Sequence, residues 1–226
     1  MRPLPHAIVE VLRKDLLLAW RTRARVAAVL AFGVTSLLLF SFAAGPDTVK
    51  LRANASGYLW LGILLCSTLA LTESFRYEVQ NRALEGLRLI PADPFAIFIG
   101  KSLANLLLLL ILGVALVPAM VVLYDVSFKL GLPMMVGVIV LGAAGISAPG
   151  TLYGLLAARV RSGEVLLPLL LFPLEVPALL SSTRATELVL TGDPMNQLQS
   201  WLGLLFAFNV IFWSVCGLLF GRLMEE

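Results

Sequence analysis

Long apolar runs alternate with short polar connectors along this chain, and that alternation sets the prediction of its elements. Runs at about 26–44, 57–72, 97–123, 133–157, 164–183 and 201–221 read as membrane spans. A helix that crosses a hydrocarbon core of about 30 Å takes roughly 20 apolar residues. Six such helices with their connectors use nearly all of the 226 residues. The pattern predicts an all-α polytopic membrane protein, a single transmembrane domain over residues 1–226. Turn signals fall between the runs, at Gly45-Pro46-Asp47 in the connector 45–56 and at Gly192-Asp193-Pro194 in the connector 184–200. Asp93-Pro94 offers an N-cap followed by a proline at the first helical position of the third span.

Two stretches follow a different pattern. In residues 5–22, Ile8, Leu12, Leu16, Ala19 and Trp20 recur at spacings of three and four, while Glu10, Arg13, Lys14 and Arg21 lie mostly off that stripe. A basic amphipathic helix with a Trp near its end is suited to the membrane interface; the alternative is an ordinary solvated helix. The second stretch, 73–96, carries seven charges in 24 residues. Phe75, Val79, Ala83 and Leu87 repeat every four residues, Glu78 precedes Arg82 at i,i+4, and Glu85 reaches Arg82 or Arg88. Pro91 ends the periodicity, so the spacing predicts a surface helix over about 73–91. Such a helix either lies on lipid headgroups or inserts into a groove of a cytoplasmic partner. Acidic residues at 73, 78 and 85 would be repelled by anionic headgroups, which favours the protein partner.

Composition reinforces the membrane assignment. Hydrophobic residues make up 59% and charged residues 14%, with a mean hydropathy of +0.93; a soluble domain carries roughly 25% charge. No length remains for a soluble catalytic domain. The net charge of +3 reads as membrane orientation rather than affinity for nucleic acid. With the N-terminus inside, 13 Lys and Arg side chains fall on cytoplasmic segments, and four, Lys50, Arg52, Lys129 and Arg184, fall outside. The positive-inside rule then places both termini in the cytoplasm. The first apolar run begins behind some 25 charged and amphipathic residues, too many for the n-region of a signal peptide, so no cleavable signal is expected.

Candidate chemistry is sparse. His6 is the lone histidine, and neither HExxH, CxxCH nor a Ser-His-Asp set is present. Cys66 and Cys216 lie far apart inside apolar runs and read as small core residues. Gly100-Lys101-Ser102 imitates the end of a phosphate-binding loop, but Phe95 stands where the leading glycine belongs and the tripeptide opens a membrane helix. This chain is therefore expected to be no enzyme and to bind neither ATP nor a metal or cofactor directly. Lys101 reads as a snorkelling anchor. The fifth span holds Glu175 together with Pro168, Pro173 and Pro177. Each proline removes a backbone hydrogen bond, and the freed carbonyls need neighbouring helices or water. An acid inside a span is a functional candidate by default, so Glu175, Pro173 and Pro177 are the intramembrane candidates. Gly150 with Gly154 and Gly217 with Gly221 form GxxxG pairs suited to close helix packing.

Several of these pieces together resemble the CcmB family, the ABC-2-like haem exporter B permease of cytochrome c maturation. They are Phe75-Arg76-Tyr77-Glu78, then Ala83-Leu84-Glu85-Gly86-Leu87-Arg88-Leu89-Ile90-Pro91, and Gly100-Lys101. Pro149-Gly150-Thr151-Leu152 and Gly163-Glu164-Val165-Leu166-Leu167-Pro168 agree as well, as do Phe172-Pro173-Leu174 and Val176-Pro177. The resemblance implies a permease subunit of a bacterial inner membrane, present in two copies beside a separate cytoplasmic ABC ATPase and a haem-handling membrane protein. It implies an elbow helix at the N-terminus and a coupling helix at 73–91, with Phe75, Glu78, Arg82, Leu84, Glu85, Leu87 and Arg88 meeting the ATPase. ATP would act through that partner, and haem is the candidate substrate of the complex, exported as such or released on a periplasmic chaperone. Glu175 departs from the family pattern, where an apolar or small polar residue is expected. Two other readings compete: a self-sufficient secondary transporter that uses Glu175, and a membrane assembly scaffold with no translocation path.

Overall fold

A computed structural model of the chain describes residues 4–80, 93–158 and 163–225; for 73–80, 163–167 and 225 it describes the helical backbone without the side chains. The described residues form seven α-helices and no strand: α1 Leu4–Arg21, α2 Arg23–Ala44, α3 Thr48–Gln80, α4 Pro94–Tyr124, α5 Leu132–Ala158, α6 Gly163–Thr191 and α7 Leu198–Glu225. Five of them, all except α1 and α6, are long and apolar enough to cross a membrane. Each of the six predicted spans lies within one of the helices α2 to α7.

Aspartates set several helix starts. The Asp47 carboxylate accepts from the backbone N–H of Val49 and Lys50 at 3.1 and 3.2 Å, so α3 begins nine residues ahead of the predicted second span. Asp93 accepts from the N–H of Phe95 at 2.9 Å with Pro94 behind it, as the Asp-Pro signal predicts. Asp193 accepts from Gln197 and Leu198 at 2.8 and 2.9 Å and starts α7. Each cap satisfies donors that a helix start leaves open, at about 1 kcal/mol apiece.

The helix α5 is the hub, packed against α3, α4, α6 and α7. Small residues make that possible. A side chain at Gly142 would overlap the Trp60 ring, whose carbon lies 2.1 Å from the Cβ position, so glycine lets α3 close on α5. Trp60 Nε1 then donates to Thr186 Oγ1 of α6 at 2.8 Å. The GxxxG glycines act within the chain: Gly150 meets Leu71 of α3, and Gly217 meets Phe95 of α4. Cys66 and Cys216 are buried free thiols inside the packing.

The termini of the helices sort into two ends. At one end Arg52 pairs with Asp125, and Lys129 and Leu130 donate backbone N–H to the Val189 carbonyl at 2.9 and 3.2 Å. At the other, α1 lies on the start of α4.

Candidate functional site

The contact between α1 and α4 is built from small residues and one ion pair. Ala7 and Val11 of α1 are buried, and a Cβ added at Gly100 would stand 2.8 Å from Val11 Cβ and 3.0 Å from the Ile8 carbonyl oxygen. One turn along α1, Asp15 accepts from Lys101 Nζ at 3.2 Å and lies 3.1 Å from Lys14 Nζ. Lys101 is 1% exposed. The snorkelling assignment is therefore corrected: the ammonium is buried in the α1–α4 contact, where a carboxylate on the packed helix compensates its desolvation. The predicted stripe of α1 is found in part: Ile8, Leu12 and Ala19 are half-buried beside the buried Ala7 and Val11, and Asp15 is half-buried one turn on. Leu16 and Trp20 are exposed, Trp20 at 75%. Periodicity marked the larger apolar residues, whereas Gly100 accepts only a small surface.

Behind this contact runs a polar seam between α4 and α5. Asn105 Nδ2 donates to Thr151 Oγ1 at 2.9 Å, Thr151 Oγ1 donates to the Ser147 carbonyl at 2.7 Å, and Ser147 Oγ donates to the Ser102 carbonyl at 2.6 Å. The tripeptide Gly100-Lys101-Ser102 is thus helical and interior, with its lysine ion-paired rather than presented to a phosphate.

The second candidate lies in α6, which continues as helix through Pro168, Pro173 and Pro177. Glu175 is 0% exposed, and among the described residues neither carboxylate oxygen has a hydrogen-bond partner. The helices packed against α6 are α3, α5 and α7. One turn further, Ala178 packs on Gly145 of α5, beside Phe208 of α7. The placement of the acid toward the bundle agrees with the sequence argument.

The predicted partner-facing residues fall at the edge of the description. Helix α3 runs unbroken to Gln80, so Phe75 and Glu78 lie on a continuation of the membrane helix. Arg82, Leu84, Glu85, Leu87 and Arg88 lie outside the described residues. Among the described residues, no group of three or more His, Cys, Asp or Glu is placed to hold a metal ion. Asp15 was missed by the sequence reading. Its available signal was an acid in register with Ala7 and Val11, i+8 and i+4, on an otherwise small-residue line.

Fold and side chains together define a polytopic α-helical membrane protein in which several buried polar groups, Lys101, Asn105, Ser147, Thr186 and Asn209 among them, join helix to helix. The family model described as CcmB protein matches residues 6–221, and the chain belongs to that family. It is similar to proteins named heme exporter protein B. That of Escherichia coli K12 is 30% identical over 201 residues, covering 87% of this chain and 89% of the relative. That of Rhodobacter capsulatus is 33% identical over 170 residues, covering 75% and 78%. That of Pseudomonas aeruginosa is 27% identical over 197 residues, covering 87% and 88%.

Proposed function

We propose that this chain is the membrane permease subunit of an ABC complex in cytochrome c maturation. ATP hydrolysis by a cytoplasmic partner drives haem export or the release of a haem-loaded periplasmic chaperone. The observation that carries the reading is the family match across residues 6–221, joined to a helical membrane bundle of the same extent. The names of the relatives support haem as the cargo. In this reading α6 also crosses the membrane, as the fifth of six spans, both termini are cytoplasmic, and two copies act beside a haem-handling membrane protein. The segment 73–91, reached through the end of α3, contacts the ATPase through Phe75, Glu78, Arg82, Leu84, Glu85, Leu87 and Arg88.

Purification in mild detergent tests it. An ATPase subunit is expected to accompany the protein, and Glu78→Lys with Glu85→Lys is expected to abolish its recovery or its coupled ATP hydrolysis. Unchanged recovery and turnover in that double variant would remove the coupling role from this segment.

A second reading, a secondary transporter acting alone, rests on the buried carboxyl of Glu175 between Pro173 and Pro177. It predicts transport by the purified chain in vesicles without ATP, lost in Glu175→Gln. Transport that requires the ATPase would exclude it.

A further inference from the structure

The line where α1 meets α4 ends at Asp15, and a cavity of about 120 Å³ opens beyond it, between the second half of α1, the start of α2, Ala70 of α3 and α4. Its walls are largely hydrocarbon, from Leu16, Ala19, Val26, Val29, Leu108 and Ile111 among others. Most polar side chains that reach it are engaged by the protein. Asp15 is paired with Lys101 and Lys14. Asn105 donates to Thr151, and the Thr22 hydroxyl donates to the Leu18 carbonyl at 2.9 Å. An apolar cavity of this order stays free of water and takes an apolar guest. Leu16 and Ile111 are also exposed on the outer surface, so the cavity opens sideways, toward bilayer, rather than into the bundle. Arg25 stands at its edge, and Arg21 and Arg23 beside it are exposed.

We propose that this cavity holds an acyl chain of an anionic phospholipid, with the phosphate on Arg21 and Arg23. Hydrocarbon walls and a cationic rim at the level of an interfacial helix match the two halves of that molecule. No His, Cys, Met or Tyr lines the cavity, so a haem iron would find no side-chain ligand there. The lipid would complete the packing of α1 where protein contacts stop, and the angle of α1 would depend on the charge of the leaflet.

The test uses the protein purified in mild detergent with whatever subunits accompany it. Native mass spectrometry reads retained lipid after exposure to phosphatidylglycerol or to phosphatidylcholine with the same chains. Phosphatidylglycerol is expected to be retained about fivefold or more over phosphatidylcholine, the preference that one basic side chain at an anionic surface confers. Arg21→Gln with Arg23→Gln, a surface change, is expected to erase that preference while leaving chain retention. Ala19→Phe, which fills the cavity, is expected to remove both lipids without loss of the accompanying subunits. Equal retention of the two lipids by the unaltered protein would overturn the proposal. So would a preference that persists in the double arginine variant, or haem absorbance that phosphatidylglycerol displaces and the arginine variant loses.

Discussion

Lys101 and Glu175 are both ionisable side chains buried in the bundle, and their surroundings differ in one respect. Lys101 has a carboxylate 3.2 Å away, delivered by α1, whereas Glu175 has no hydrogen-bond partner on either oxygen among the described residues. A paired charge in the interior mainly fixes which elements lie together, because removing one member leaves the other uncompensated. A buried carboxyl without a partner fixes nothing in the packing around it, and its position is costly unless another state of the protein uses it. The α1–α4 contact therefore reads as architecture, and the centre of α6 as the place where function would show.

Removing one member of the pair gives the largest expected effect. Asp15→Ala removes the carboxylate that faces the buried Lys101 ammonium and should destabilise the protein by about 3–5 kcal/mol, read as a lowered thermal midpoint in detergent. Asp15→Leu with Lys101→Met should recover most of that loss. If the double variant melts as low as the single one, the contact owes its strength to something other than charge.

The opposite sign is expected at Glu175. Glu175→Leu should ease membrane insertion by up to about 2.5–3.5 kcal/mol, the scale for a charged side chain at a helix centre, in a glycosylation-reporter assay of the isolated α6 segment. Glu175→Gln should leave the thermal midpoint of the whole protein nearly unchanged, since no hydrogen bond is lost. A sharp drop for Glu175→Gln would mean that the carboxyl is structural after all, and the contrast with Lys101 would fail.

Smaller effects separate packing from charge. Gly100→Ala places a methyl against Val11 and the Ile8 carbonyl, and should cost about 1–3 kcal/mol as α1 is pushed outward. The same change would also lengthen the Asp15–Lys101 contact, so its effect should shrink when Lys101 is already Met. At the low end, Thr151→Val removes the acceptor for Asn105 and should cost about 1–2 kcal/mol by the same measurement, without moving α1.

Several of these features were legible in the chain itself. Long apolar runs gave the spans, because a bilayer demands continuous helix with every backbone group satisfied within it. Asp93-Pro94 announced the start of α4, since an N-cap followed by proline acts through adjacent residues only. The extension of α3 back to Thr48 was not seen, because Lys50, Arg52 and Asn54 interrupt the apolar run while leaving helix geometry intact. The stripe on α1 was placed only in part: Ile8, Leu12 and Ala19 are half-buried, but the fully buried positions are Ala7 and Val11. Periodicity ranks positions by hydrophobicity, but the facing surface of α4 at Gly100 selects by size.

The sequence by itself determined that this protein lives in a membrane, that its helices are placed about as found, and that Glu175 is an acid among leucines and prolines. Family membership was likewise readable from short motifs, which keep their order along the chain. Only the tertiary structure decided that Lys101 is paired with Asp15 and that Glu175 has no hydrogen-bond partner among the described residues. Asp15 and Lys101 are 86 positions apart, and no local pattern encodes a meeting over that separation. Local rules specify helices through neighbours a turn away, while the state of a buried charge depends on whatever the fold brings beside it.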